Sequence, residues 1–221
     1  MSKIINWGII GLGKIAHKFA EDLQLVEDAN LLAVASRDIE NAKSFAKKFS
    51  ANQFYSSYKA LVENPNVDVV YIATPHALHY EHTLLCLNAN KAVLCEKAFA
   101  MNAAEVKEMI RTAKARNVFL MEALWTRFIP GTLKTLALIK EGSIGKIHSV
   151  EADFGFIGDT DPEKRLFNKR LGGGALFDIG IYPVFLSILI LGAPKYINAH
   201  ATMAATGVDA EVKITFAYES G

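Results

Sequence analysis

The sequence lacks several features that mark large classes of proteins. Its two cysteines, Cys86 and Cys95, form neither a disulfide framework nor a metal-ligand spacing, which indicates a reducing compartment and two small buried thiols. Basic and acidic residues nearly cancel, 24 against 23, which argues against a surface built to bind nucleic acid. The most apolar run, Ile179–Leu191, is too short to span a bilayer, which takes roughly 20 residues. We therefore expect a buried helix there and no membrane partner.

Several catalytic and targeting motifs are also missing. The six histidines do not combine with cysteines or carboxylates in a zinc-binding pattern, and neither a G-x-S-x-G elbow nor a Walker A sequence occurs. Asn6 and Gly8 interrupt the apolar N-terminal stretch, and no small-residue cleavage site follows it. We therefore expect no metal site, no signal peptide and a cytoplasmic protein.

The most informative stretch that is present is Lys3–Ala16, KIINWGIIGLGKIA, in which an apolar run ends in a G-x-G-x-x-A turn. In such a turn Gly11 allows the tight bend, Gly13 lets a pyrophosphate approach the backbone, and Ala16 lets helix and strand pack closely. The N–H groups at the start of the next helix favour a phosphate. This pattern predicts a dinucleotide cofactor held by the following residues: Gly11, Leu12, Gly13, Lys14 and Ile15.

Short apolar runs alternate with amphipathic stretches up to residue 122. The predicted strands are Ile4–Ile10, Leu31–Ser36, Gln53–Tyr55, Val67–Ala73, Ala92–Cys95 and Val118–Met121. The predicted helices are Ile15–Leu25, a helix capped by Asp38 that ends near Phe49, Tyr58–Glu63, Leu78–Leu87, and one capped by Asn102 with Glu105 in a capping box. This alternation predicts an α/β domain, residues 1–122, with a parallel sheet that helices cover on both faces.

The pattern changes over residues 123–221. We expect a helix near Thr132–Lys140, a long strand Lys146–Phe156, a polar loop 158–169, a helix Ala175–Leu191, and strands Tyr196–Met203 and Asp209–Tyr218. These elements predict the start of an α+β domain with a largely antiparallel sheet. The sheet stops near Gly221 with an unpaired edge, so we expect these residues to be part of a longer polypeptide.

Polar residues follow three of the predicted parallel strands, at the edge where open α/β sheets bind ligands. Ser36 and Arg37 follow the second strand, where a guanidinium suits the 2′-phosphate of NADP. Asp38 could instead serve NAD, but capping a helix suits it better, so we expect NADP rather than NAD. The alternative for Arg37 is a surface ion pair.

The other two strand ends carry Thr74, Pro75 and the nearby His79, and the pair Glu96-Lys97. Thr74, Pro75 and His79 could contact a cofactor ring, or they could form a plain strand-to-helix turn. Lys97 could steer a substrate hydroxyl beside a nicotinamide, or else form a solvated ion pair with Glu96.

Two further groups could contact substrate. Asp178 and Tyr182 are four residues apart on one helix and share a face. Either both side chains line a pocket, or Asp178 caps the backbone amides of the glycine turn and Tyr182 packs its ring in the core. Trp125 and Arg127 stand where the chain changes character, and they serve either a substrate that binds at a domain seam or a packing hinge.

Together these motifs resemble the Gfo/Idh/MocA family. The matching pieces are GIIGLGKIA, ATPHALHYEHTLLCLNANKAVLCEKA and GGGALFDIGIYPV, and LCEKAFAMNAAEV, MEALWTRFIP and ASRD favour the branch of NADP-dependent dihydrodiol and D-xylose dehydrogenases. The resemblance implies a Rossmann domain, a domain with an open antiparallel sheet that forms homodimers or higher oligomers, and oxidation or reduction of a sugar, polyol or cyclic diol. It makes Lys97 and Tyr182 the catalytic pair and gives Asp178 the task of orienting substrate.

Two departures from the family pattern stand out. Ala98 occupies the place of the family's usual proline after Lys97, which we expect to loosen the turn modestly. Family members are also considerably longer than this chain. Two other functions stay open: a nucleotide-binding sensor without turnover, and an isomerase or hydrolase that cycles NAD without accumulating reduced cofactor.

Overall fold

The computed structural model describes residues 3–219. The chain divides into two compact units, Met1–Ala123 and Leu124–Gly221. Each unit is built around one of the two sheets.

The first unit contains a six-stranded parallel sheet in the order β3-β2-β1-β4-β5-β6. Its strands are β1 Ile5–Ile10, β2 Ala29–Ala35, β3 Gln53–Tyr55, β4 Val69–Ile72, β5 Ala92–Cys95 and β6 Leu120–Glu122. The order reverses between β1 and β4, and in such sheets ligands bind in the crevice outside the carboxyl ends at that point. The predicted Rossmann-type α/β fold is confirmed.

Five α-helices connect these strands: α1 Lys14–Leu23, α2 Ile39–Phe49, α3 Tyr58–Glu63, α4 His79–Asn88 and α5 Ala103–Arg116. The predicted caps form. The Asp38 carboxylate accepts from the N–H groups of Glu40 and Asn41, and Asn102 caps α5. In the capping box the Glu105 carboxylate reaches the N–H of Met101 at 3.0 Å and the side-chain amide of Asn102 at 2.8 Å.

Apolar side chains pack on both faces of this sheet, because parallel strands point alternate residues to opposite sides. Ile9 and Tyr71 belong to one core cluster, while Ile10 and Ile72 belong to the other. Cys86 and Cys95 lie in the second of these clusters as free thiols, which confirms that they are buried apolar residues. Burial raises the pKa of Cys86 to about 12.

The second unit begins with a 3₁₀ turn, Trp125–Phe128, and helix α6, Pro130–Lys140. Further along, a π-helical turn Leu176–Gly180 leads directly into α7, Ile181–Leu191. Strands β7, Tyr196–Met203, and β8, Asp209–Ala217, form an antiparallel hairpin in which Tyr196 lies opposite Ala217. The predicted antiparallel pairing is confirmed.

The long strand predicted over 146–156 is wrong. These residues form neither helix nor strand. A strand is stabilised by ladder hydrogen bonds to a neighbour, and among residues 3–219 the only strand pair in this unit is β7 with β8. The alternation of apolar residues therefore favours an extended backbone over 146–156, but no neighbouring strand pairs with it among the described residues.

The apolar helix also differs from expectation. It starts with a π-helical turn instead of α-helix, and α7 has no buried residue. The segment Lys169–Leu191 has 23 residues and is long and apolar enough to cross a membrane by length and composition alone. Core helices of soluble proteins are often as long and as apolar, so this finding does not identify a membrane-spanning helix.

Candidate active site

The glycine turn joins β1 to α1 and leaves room for a phosphate group. Gly11 has φ +83°, and a Cβ there would come within 2.7 Å of the Ala73 carbonyl carbon and the Thr74 nitrogen, so the position requires glycine. A Cβ on Gly13 would meet nothing within 4 Å. This open space lies at the N-terminus of α1, where unsatisfied N–H groups bind anions, so the residues present fit a dinucleotide pyrophosphate.

The neighbours of these glycines play different parts. Leu12 packs into a core cluster, so only its backbone can face a ligand. Lys14 is exposed and Ile15 is half-buried at the start of α1. Ala16 is fully buried, as expected where helix and strand pack closely.

At the end of β2, Arg37 and Asp38 differ in what they already bind. Asp38 caps α2, and the buried Ser36 hydroxyl accepts from the N–H of Asp38 at 3.2 Å. Arg37 is exposed. Burial raises the pKa of Tyr58, and the charge of the Arg37 guanidinium and its hydrogen bond to the Tyr58 hydroxyl partly offset that rise. The strand end therefore offers a cationic group, with its carboxylate committed to the helix.

His79 lies inside the first unit and ties together the ends of β4 and β5. Its ring is fully buried, with Nδ1 2.8 Å from the Ala98 carbonyl oxygen and Nε2 2.8 Å from the Thr74 carbonyl oxygen. Desolvation lowers the pKa of His79 to about 4, although both carbonyl groups act in the opposite direction. A buried ring with both nitrogens engaged supports the backbone at this edge of the sheet, and the expected contact of His79 with the cofactor stays a prediction.

Thr74 and Pro75 follow β4 at the same edge of the sheet. Thr74 is buried, and its hydroxyl lies 3.0 Å from Nδ1 of His82. Pro75 is half-buried. The backbone of Thr74 thus closes one wall beside Gly11, while the surface of Pro75 remains available to a flat ring.

Glu96 and Lys97 follow β5. The Tyr71 hydroxyl donates to one oxygen of Glu96, and the Lys97 backbone N–H donates to the other at 3.2 Å. Burial raises the pKa of Glu96, and those two hydrogen bonds together with the Lys97 charge lower it. Lys97 is half-buried, and its peptide bond to Ala98 is cis. Glu96 therefore supports the turn that presents Lys97.

In the second unit, Asp178 lies in the π-helical turn and Tyr182 in the first turn of α7. The side chain of Asp178 is 11% exposed and pairs with Arg165, whose Nη1 lies 2.7 Å from Oδ1. The Tyr182 ring centroid lies 5.7 Å from that of Phe154. π-helical turns occur frequently at functional sites.

Sequence reasoning missed Arg165 and Asp209. Asp209 starts β8, and its carboxylate accepts from the N–H of Leu176 at 2.6 Å at the start of the π-helical turn. Arg165 comes from the polar loop 158–169, which the sequence predicts. No local pattern pairs either residue with its partner, because both contacts join segments that are distant in sequence.

Trp125 and Arg127 are both exposed in the 3₁₀ turn that opens the second unit. Their proposed contact with substrate stays a prediction. Within residues 3–219 there is no group of three or more histidine, cysteine or carboxylate side chains that could hold a metal ion.

Comparison with known proteins places the chain among nucleotide-dependent oxidoreductases. The family model described as "Oxidoreductase family, NAD-binding Rossmann fold" (GFO_IDH_MocA) matches residues 5–124. The model of the GFO/IDH/MocA C-terminal domain matches residues 132–221. The expected resemblance is thereby confirmed.

Curated relatives named trans-1,2-dihydrobenzene-1,2-diol dehydrogenase are similar over nearly the whole chain. The protein from Danio rerio is 42% identical over 97% of this chain and 65% of its own length. The protein from Mus musculus is 42% identical over 98% and 66%. The chain therefore spans about two thirds of the length of these relatives, and the predicted branch of the family is confirmed.

Solved structures of oxidoreductases superpose on nearly the whole chain. A 3-ketoreductase from Actinomadura kijaniata, in complex with NADP and TDP-benzene, superposes with TM-score 0.92 and 29% identity over 99% of this chain and 68% of its own. An aldose-aldose oxidoreductase from Caulobacter crescentus, complexed with glycerol, gives TM-score 0.90 and 29% identity over 99% and 69%.

Proposed function

Since the chain belongs to the Gfo/Idh/MocA oxidoreductase family, whose NAD-binding Rossmann domain it contains, we propose that it is an NADP-dependent dehydrogenase. Its substrate would be a secondary alcohol of a sugar, polyol or cyclic diol. One observation carries this proposal: Lys97 is held by the Glu96 turn at the same carboxyl edge of the sheet as the open glycine turn. Relatives named as diol dehydrogenases, at 42% identity, support the substrate class.

In this mechanism Tyr182 acts as its phenolate, which takes the proton of the substrate hydroxyl and becomes the neutral phenol, and Lys97 stabilises the negative charge that develops on the substrate oxygen. Asp178 orients the substrate by accepting a hydrogen bond from a second hydroxyl. The bound nicotinamide cofactor supplies the acceptor of the hydride. The Tyr71–Glu96 hydrogen bond keeps the turn before Lys97 in place.

NADP is favoured over NAD by the end of β2. A carboxylate free to bind the ribose 2′-hydroxyl would favour NAD. The Asp38 carboxylate is instead committed to the cap of α2, whereas Arg37 is exposed and suits a 2′-phosphate. The relative from Actinomadura kijaniata carries NADP in its structure. Ser36, Thr74 and Pro75 complete the proposed cofactor contacts, together with the glycine turn.

We extend the proposal to Trp125 and Arg127 as substrate contacts, to a cytoplasmic location, and to a homodimer formed through the C-terminal sheet. Every residue of β7 is exposed in the single chain, which supports an interface there. Sedimentation velocity of the purified chain tests this part, and a monomer at micromolar concentration would contradict it.

The reaction is tested by following the absorbance of reduced cofactor while sugars, polyols and cyclic diols are screened with NADP and NAD. We expect turnover with at least one diol or sugar. Lys97→Met and Tyr182→Phe should lower kcat by about 10²–10⁴-fold while NADP still binds. The matched control is Lys107→Met on α5, at an exposed position outside the proposed site, which should behave as wild type. Normal kcat in both site variants would refute the catalytic pair, and NADP binding without any turnover would favour a sensor.

A further inference from the structure

The sheet brings the start of α3 beside the end of β2. Strand β3 pairs with β2 so that Tyr55 lies opposite Ala35, and the N–H of Ser36 donates to the Tyr55 carbonyl oxygen at 3.1 Å. The chain then enters α3, whose first residue is Tyr58. The half-buried side chain of Tyr58 thereby reaches Arg37, the residue that follows Ser36.

The hydroxyl of Tyr58 contacts the guanidinium of Arg37 directly. Its oxygen accepts a hydrogen bond from the guanidinium. Burial raises the pKa of Tyr58 above its usual value, with Arg37 opposing part of that rise, so the hydroxyl is neutral at pH 7. A guanidinium carries five N–H donors in one plane, so one bond to Tyr58 leaves donors that suit a phosphate. A neutral oxygen therefore holds Arg37 without cancelling the charge that attracts a phosphate.

The ring of Tyr58 is itself held by the buried residues at the end of β4. It packs edge-on against the ring of His82, with 4.8 Å between centroids and an interplanar angle of 81°. Nδ1 of His82 lies 3.0 Å from the hydroxyl of Thr74, and both residues are buried. Burial lowers the pKa of His82, so at pH 7 the ring is largely neutral and does not repel the guanidinium. A chain of contacts thus runs from the end of β4 to Arg37 at the end of β2.

We infer that Tyr58 is a positioning residue for Arg37 and thereby increases the preference for a nucleotide that carries a 2′-phosphate. This inference rests on the NADP binding of the proposed function, and not on turnover. An arginine side chain loses rotamer freedom when it binds a phosphate, and a guanidinium that is already held loses less. Tyr58 therefore raises the affinity for the 2′-phosphate through Arg37.

The test measures the binding of NADP and of NAD to the full chain by fluorescence titration. It compares wild type with Tyr58→Phe, Arg37→Ala and the double variant. Tyr58→Phe keeps the ring and removes only the hydroxyl, so NADP should bind about three- to tenfold more weakly and NAD as in wild type. In the Arg37→Ala background, Tyr58→Phe should have no further effect, because its effect passes through the guanidinium. A merely structural role would weaken the binding of both nucleotides and would persist without Arg37, which overturns the inference.

Tyr80→Phe on α4 is the matched control. Its hydroxyl also bonds a charged side chain, donating to Glu108 of α5 at 2.8 Å, so the substitution removes a comparable hydrogen bond. It should leave both affinities unchanged. If Tyr58→Phe binds NADP as tightly as wild type while Arg37→Ala loses affinity, the inference is overturned and the proposed function stands. Tighter NADP binding by Tyr58→Phe overturns it too, because Tyr58 would then restrain Arg37 from the phosphate.

A second measurement uses wild type alone and decides the matter if Tyr58→Phe fails to fold. Nitrogen-15 NMR of the arginine side chains, without nucleotide, should show slower rotation of the Arg37 guanidinium than of the exposed Arg170. Equally fast rotation overturns the inference. Wild type that binds NADP no more tightly than NAD refutes the proposed cofactor preference, and the inference with it. NADP binding without turnover of any alcohol refutes the dehydrogenase and leaves the role of Tyr58 standing.

Discussion

At the end of β2, two adjacent residues of opposite charge perform separate tasks. Asp38 accepts the first N–H groups of α2, which stabilises a helix terminus, and its carboxylate is engaged there. Arg37 stays exposed at the edge where the cofactor ribose is proposed to lie. The proposed preference for NADP over NAD therefore depends on one side chain.

We expect Arg37→Ala to weaken NADP binding by about 10- to 100-fold, because a charge-assisted contact to the 2′-phosphate is lost, and to change NAD binding little. Fluorescence titration with each nucleotide measures both affinities. Lys43→Ala, which removes an exposed cation from α2, is the control for a general effect of charge. Equal losses for NADP and NAD in Arg37→Ala would contradict the phosphate contact.

His79 couples stability to pH through its buried ring. Its pKa falls from 6.5 to about 4 in the folded protein, chiefly by desolvation. Its contribution to stability is therefore complete above pH 6.5 and is lost as the pH falls towards 4, since the unfolded chain then binds a proton that the folded chain does not. His82 has a pKa shifted in the same direction by burial and adds to this dependence.

From this shift, we expect the free energy of unfolding of wild type to fall by about 2 kcal/mol more than that of His79→Gln between pH 7 and pH 5. Urea denaturation at both pH values measures the difference. His148→Gln, at an exposed position, should keep the wild-type dependence. A parallel fall in wild type and His79→Gln would show that the ring does not resist protonation.

Among the structural elements, the turn between β1 and α1 contains two glycines with different physical requirements. Gly11 needs glycine for folding, since it has φ +83° and lies against the backbone of Ala73 and Thr74. Gly13 has an ordinary φ of −82° and open space in front of it. The backbone geometry at position 13 does not require glycine, so we propose that the cofactor requires it there.

Gly13→Ala should change the free energy of unfolding by less than about 1 kcal/mol and weaken NADP binding by about tenfold or more, since its methyl group occupies the phosphate space. Gly11→Ala should destabilise the protein by about 3 kcal/mol, through its positive φ and backbone overlap. Thermal unfolding and nucleotide titration of both variants separate the two effects. Tight NADP binding by Gly13→Ala would contradict the proposed position of the pyrophosphate at this turn.

The elements of the first unit were predictable because each strand is apolar on both faces and each helix carries its own caps. Asp38 and Asn102 are local signals that a single sequence displays. Residues 146–156 misled the prediction because strand formation depends on a partner that no local pattern specifies. The ends of β1, β2, β4 and β5 could be located because their strands are visible as apolar runs. The contacts of Arg165 with Asp178 and of Asp209 with Leu176 could not, because they join segments that are distant in sequence.

Across the whole molecule, buried apolar side chains are concentrated in the first unit. Within the described residues, the buried apolar side chains of the second unit are those of Leu124 and Val208 alone. The first unit has apolar clusters on both faces of its sheet. Because burial of apolar surface is the main favourable term in folding, stability should be distributed as unequally as these side chains.

The first unit should therefore fold alone. We expect a fragment of residues 1–123 to unfold cooperatively and to bind NADP within about tenfold of the full chain, since the glycine turn, Arg37 and the β4 and β5 ends all lie within it. It should show no turnover, because Asp178 and Tyr182 are absent. Circular dichroism on heating and nucleotide titration measure folding and binding, and the Gly13→Ala fragment serves as the non-binding control. A fragment that melts without cooperativity would show that the second unit contributes to the core of the first, and a folded fragment that ignores NADP would place essential cofactor contacts beyond residue 123.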